Sequence, residues 1–270
     1  MPAGVATFVS HQPVSAPADI PLLASTAIRR TLTGPLQPAR SLGRSNGALY
    51  LMCEEGALLA LLAPGAARLP IALFCGSAAE LQRLGASVAA PIQVGRGRVT
   101  LGAVVATAVR WWDPGVVVDL AANPVAVPPG GMRTPGELGL PTAPVEGLSA
   151  ALHTGEAPAL RAAAHRLAGL GPGLTPAGDD ILIGVQSVLT CSGHPLSAVL
   201  PDAIRGRTTE LSQALLRCAG DGAYLGEVGA VLRALGRGAD LDRPWARLAA
   251  VGHTSGAALG VGMLIGVAAL

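Results

Sequence analysis

No lysine occurs anywhere in the 270 residues, so all 19 cationic side chains are arginines. Schiff-base chemistry on a lysine and a phosphate-loop lysine are therefore both excluded. Aromatic residues make up only 3% of the chain. The core must be built from Leu, Val, Ile and Ala, which favours closely approaching helices. Charge is sparse as well: 13% of residues are charged, the formal net charge is +2, and no basic run exists. A nucleic-acid surface needs a clustered basic patch, so no nucleic-acid partner is expected. Cysteine is limited to Cys53, Cys75, Cys191 and Cys218, with no CxxC and no Cys/His cluster. That spacing disfavours zinc. Each cysteine sits in an apolar segment, as buried free thiols do, and a reducing cytoplasm fits best.

The first twenty residues lack a basic segment followed by an apolar one, so no signal peptide is expected. The uncharged C-terminal run, residues 255–270, is shorter than the roughly 20 apolar residues that span a bilayer. It is expected to be a buried helix, with no membrane partner.

What is present is hydrophobic: 50% of residues are apolar, as in a globular chain with a substantial core. The two halves differ. Between residues 46 and 120, "GALYLMCEE", "LPIALFCGS" and "VAAPIQVGRGRVTLGAVVATAVRWWDP" read as short strands bounded by turn residues. A Gly-Arg-Gly hairpin turn lies within the last of them. "SAAELQRLGA" is expected to be a helix. Residues 121–145 are rich in Pro and Gly and read as a linker or surface loop. From residue 146 onward, Ala/Leu/Arg-rich segments at helical spacing are separated by glycines. The expected fold is α+β: a β-rich N-terminal domain over 1–145, a small barrel or sandwich, then an all-α helical bundle over 146–270. The segments 179–192 and 254–270, apolar almost all round, are expected at the bundle centre.

Three polar constellations stand in the helical half. In "GLGPGLTPAGDD", Thr175 is a natural N-cap and Pro176 a natural first helical residue. Asp179 and Asp180 follow in the first turn, where the helix dipole favours acids. In "RGRTTELSQ", Thr208 or Thr209 can cap a helix. In "VGHTSGAAL", Thr254 or Ser255 can cap the last one. Capping explains much of each. The first goes further, because a cap needs one oxygen and not the surplus glycines Gly171, Gly173 and Gly178. Gly178 costs about 1 kcal/mol against Ala inside a helix; such a glycine permits close approach of a backbone or a ligand.

If both apolar helices are central, their N-termini can meet in one anion-receptive pocket. Neighbouring aspartates on a helix diverge by about 100°, so only one is expected to face such a site. One can order the loop by accepting backbone N–H bonds. The other can move a proton or hold Mg²⁺, although two carboxylates alone are a weak metal signal. Arg207 can clamp a substrate anion. His253 can act as donor or general acid near neutral pH. No Ser/His/Asp order supports a hydrolase. "GRGRVTLG" lies between strands and opens no helix, so it is not a dinucleotide fingerprint.

Taken in order, "GLGPGLTPAGDD", "RTTELSQALL" and "GHTSGAALGVGML" resemble the AllH family of oxamate carbamoyltransferase subunits, over roughly residues 145–270. The sequence departs from the family pattern at Ala257, where an acidic residue is expected. The resemblance implies action together with unrelated subunits in allantoin degradation (purine catabolism). The implied reaction is transfer of a carbamoyl group between oxalurate, or a related ureido carboxylate, and phosphate.

In that setting Asp179, Asp180 and His253 are the expected catalytic residues. Gly171, Gly173, Thr175, Gly178, Arg207, Thr208, Thr209, Thr254 and Ser255 would bind substrate and phosphate. No cofactor is assigned, and Mg²⁺ on Asp179 or Asp180 stays open. The alternative is a non-catalytic structural or ligand-sensing subunit of a multi-subunit complex.

Overall fold

The computed structural model describes residues 19–120 and 133–270. Eight strands form the N-terminal half: β1 (Ile20–Ser25), β2 (Gln37–Arg44), β3 (Ala48–Cys53), β4 (Leu58–Leu62), β5 (Ala72–Cys75), β6 (Ile92–Gly95), β7 (Arg98–Leu101) and β8 (Val104–Trp112). They close into a barrel in the order β1-β5-β4-β3-β2-β6-β7-β8. The β1–β8 and β4–β5 pairs are parallel and the others antiparallel. Of barrel or sandwich, the chain therefore makes the barrel. Eight strands enclose a space that side chains fill, here with Leu22, Leu51, Leu59, Leu73 and Leu101, each no more than 1% exposed. The Gly-Arg-Gly hairpin is present: Arg96 and Gly97 both take positive φ, the pairing of signs that suits the twist of two antiparallel strands.

Two short helices accompany the barrel, α1 (Arg29–Thr33) and α2 (Ala78–Ala86). The second is the helix expected from "SAAELQRLGA". Ser77 and Glu80 close a reciprocal capping box at its start.

Of the segment read as a loop, residues 121–132 lie outside the described residues. The rest needs a correction, because α3 (Thr142–Thr154) begins inside it. The prolines that suggested a loop flank and enter the first helical turn. There a missing N–H costs nothing, because that donor has no partner within the helix.

The chain continues with α4 (Ala157–Leu167), α5 (Ala177–Cys191), α6 (Val199–Ala203), α7 (Glu210–Gly220), α8 (Gly226–Arg237), α9 (Asp242–Ala249) and α10 (Ser255–Val267). The two apolar helices do form the centre. Thirteen of the fifteen residues of α5 and ten of the thirteen of α10 are buried. Glycine lets them touch backbone to backbone. A Cβ on Gly184 would stand 2.2 Å from the Leu259 carbonyl oxygen, and one on Gly262 would stand 2.0 Å from that of Ile181. A Cβ on Gly266 would stand 2.9 Å from the Val188 side chain and 3.4 Å from the Val185 carbonyl oxygen. Contacts thus advance along both helices together, so the two run side by side with their N-termini at the same end. No described helix is long and apolar enough to cross a membrane.

Barrel and helices share one hydrophobic core. Strand β4 is buried along its whole length, as expected of a strand covered on both faces. Backbone bonds tie the halves together: Gly226 N–H to Arg68 O at 2.8 Å and Tyr224 N–H to Pro114 O at 3.2 Å. The Arg68 N–H donates to the Glu227 carboxylate at 3.2 Å.

Candidate functional site

The loop ahead of α5 is shaped by Gly169, Gly171 and Gly173, all at positive φ. It is then bolted from three directions. The Gly169 N–H donates to Asp179 Oδ1 at 2.7 Å. Thr208 Oγ1 donates to Asp179 Oδ2. Thr209 Oγ1 donates to the Leu174 carbonyl at 2.7 Å. Thr209 is also the N-cap of α7, accepting from the Ser212 N–H at 3.1 Å. Both oxygens of Asp179 are therefore engaged in holding the loop. The second constellation acts as a clamp on the first.

Capping turned out differently at the other two helices. The residue before α5 is Pro176, and no side chain caps that helix. Thr175 instead turns its hydroxyl to Ser255 Oγ, 3.0 Å away. Ser255 is the first residue of α10, preceded by Thr254, which makes no capping bond. The expectation that Thr175, Thr254 or Ser255 caps a helix is thus corrected. Two hydroxyls that cannot reach the N–H groups of their own helices meet each other where the N-termini of α5 and α10 converge.

Beneath this pair lies Asp180, 2% exposed, with no hydrogen-bond partner for Oδ2. Burial holds its carboxyl well above the usual carboxylate range. The Ser255 hydroxyl opposes that shift, the neighbouring Asp179 reinforces it, and Thr175 opposes it more weakly. Burial thus favours the protonated form of Asp180, the form able to donate a proton.

Its carboxyl opens onto a cavity of about 310 Å³ between barrel and helices. Asp180, Thr175 and Ser255 form the polar floor. The barrel side contributes Ala48, Tyr50, Leu62 and Leu69, and the helical side Leu211, Leu215, Leu225 and Leu259. Burial raises the Tyr50 phenol above its ordinary range, so it too stays a neutral hydrogen-bond donor.

The three constellations are joined by hydrogen bonds, Thr208 and Thr209 to the first and Thr175 to Ser255 of the third. Their members do not contribute equally. Thr175, Asp180 and Ser255 line the cavity, while Asp179, Thr208 and Thr209 support the loop above it. Gly171 and Gly173 shape that loop and do not line the cavity. Gly178 serves packing: a Cβ there would stand 2.2 Å from the Leu167 carbonyl oxygen. Arg207 and His253 are exposed and stand outside the cavity lining.

Sequence reasoning missed every barrel contribution, Tyr50 included. Nothing local to those strands marks them, because only the tertiary meeting of barrel and helices makes the wall.

No group of three or more His, Cys, Asp or Glu side chains among the described residues could hold a metal ion. Both oxygens of Asp179 are engaged by the loop, which leaves Asp180 as the one carboxylate of the pair open to a ligand, a sparse donor set for Mg²⁺.

Comparison with curated proteins and with solved structures returned no match. Residues 167–267, which contain all three constellations and exclude the barrel, match the model of a family described as oxamate carbamoyltransferase subunit AllH.

Proposed function

We propose that the chain is a cytoplasmic subunit of an oxamate carbamoyltransferase-like enzyme. It would bind a ureido carboxylate such as oxalurate in the Asp180 cavity and pass the carbamoyl group to phosphate with other subunits of the complex. The observation that carries this reading is the buried Asp180 carboxyl of the matched segment, its Oδ2 without a hydrogen-bond partner, facing a cavity between barrel and helices.

Phosphorolysis of oxalurate joins a phosphate oxygen to the carbamoyl carbon and breaks that carbon's bond to the oxamate nitrogen. Negative charge grows on the carbamoyl oxygen as the tetrahedral centre forms, and the leaving nitrogen needs a proton. Of the paired Thr175 and Ser255 hydroxyls, the one whose proton is not used in their mutual bond can donate to that oxygen, the kind of pre-aimed donor that lowers such barriers. Asp180 gives its proton to the departing nitrogen and regains one from the hydrogen phosphate. The apolar walls keep water from intercepting the carbamoyl group. Asp179, Thr208 and Thr209 act at one remove, by holding the loop that carries Thr175.

The test is formation of carbamoyl phosphate from oxalurate and phosphate by the chain with its partner subunits. Asp180→Asn should lower kcat by about 10²-fold or more. Unchanged turnover in a folded variant overturns the catalytic role.

A ligand-sensing, non-catalytic subunit is the second reading. It is favoured by the position of His253 and Arg207 outside the cavity lining. In that case Asp180→Asn weakens ligand binding and leaves kcat intact.

A further inference from the structure

The Asp180 cavity contains no cation, yet the proposed substrates are anions. A second recess, of about 940 Å³, adjoins it and shares the lining residues Ala66, Ala67, Val251 and Gly252 with it. Arg68, Arg233 and Arg247 line this recess, against one carboxylate, Glu227. They come from three separate places: the β4–β5 connection, α8 and α9.

None of the three forms an ion pair among the described residues, whose ion pairs are Arg40–Glu210 and Arg205–Asp202. Glu227 is held at the edge of the recess by the Arg68 backbone N–H, 3.2 Å from Oε2. Arg233 is half-buried and anchored by one Nη2 bond to the Gly115 carbonyl at 3.1 Å. That bond fixes the guanidinium in place and leaves its remaining donors free to bind. Three like charges around one open space repel each other, and a bound anion relieves the repulsion. Guanidinium groups match the oxygens of phosphate and carboxylate in pairs.

We infer that this arginine-lined recess is the anion subsite of the Asp180 cavity, receiving the phosphate or the carboxylate of a ligand whose uncharged part lies over Asp180. This rests on the reading of the cavity as a ligand site, and it adds where the charge goes. Neither arginine-bearing helix nor the β4–β5 connection was singled out by any sequence motif.

The test needs no turnover, so its failure is distinct from failure of the carbamoyl-transfer reading. Inorganic phosphate and oxamate are titrated separately into the full chain at fixed ionic strength by calorimetry, then in competition. Saturable binding is expected, weakened about tenfold or more by Arg233→Gln and by Arg247→Gln. Competition between the two anions assigns one subsite to both; independent binding assigns the recess to whichever anion the arginine variants abolish. If Arg233→Gln disturbs the fold through its lost bond to Gly115, exposed Arg247 carries the test alone. Absence of saturable binding by either anion, or equal binding by Arg247→Gln and the parent chain, overturns the proposal.

Discussion

At the scale of single residues, two adjacent aspartates have opposite tasks. Asp179 accepts from Gly169 and Thr208 and keeps the loop folded. Asp180 has an oxygen with no partner and faces the cavity. Asp179→Ala leaves two donors unsatisfied and should destabilise the chain by about 1–3 kcal/mol. Limited proteolysis would then show faster cleavage in residues 169–176.

Asp180 predicts a pH dependence. Its folded pKa is raised, so the folded state binds the proton more tightly than the unfolded state. Its contribution is complete below the unfolded value, near pH 4. It is lost as pH rises from there through the folded pKa, at up to about 1.4 kcal/mol per pH unit. Asp180→Asn removes this slope. Melting temperatures of variant and parent should converge at acid pH and separate, in the variant's favour, as pH rises. Parallel curves would contradict it.

The residues of this floor were partly legible in the sequence. Glycine surplus and paired acids pointed to the segment that brings Thr175 and Asp180 to the cavity. The division of labour was not legible, because it depends on Thr208 from another helix. Thr175 looked like a cap because its type and position suit one. Its hydroxyl meets Ser255 instead, a contact between positions 80 residues apart.

At the scale of elements, α5 and α10 were identifiable from their unbroken apolar character. Their packing depends on Gly184 and Gly262, which local reading did not single out. Gly178, Gly184 and Gly262 each place a backbone within 2.2 Å of where a Cβ would sit. Gly184→Ala and Gly262→Ala should therefore each cost about 1–3 kcal/mol or more from overpacking. Gly136→Ala, with nothing within 4 Å of the added carbon, should stay within about 0.5 kcal/mol. Chemical denaturation of the three variants checks this; equal stabilities would refute the close-packed helix pair. The start of α3 was missed for a related reason: prolines break helices in the interior and are accepted in the first turn.

At the scale of the whole molecule, the strands and helices were separable by their periods, but the barrel's closure and its docking on α7 and α8 were not. Those depend on long-range pairing such as β1 with β8, which no local pattern encodes. The continuous core and the bonds linking Arg68 to Gly226 and Glu227 predict that the two halves unfold together. Calorimetry should show one cooperative transition, and two resolved transitions would contradict it. Cooperation matters for the site because each half supplies one wall of the cavity.

The central claim is that the Asp180 carboxyl, held by burial above the usual carboxylate range, faces a ligand cavity formed by both halves. The most direct measurement is the infrared difference spectrum between the parent chain and Asp180→Asn at pH 7, with and without oxalurate. The account predicts a protonated-carboxyl C=O band present in the parent, absent in the variant and shifted by oxalurate. A carboxylate signature for Asp180 in both conditions, indifferent to the ligand, would contradict it.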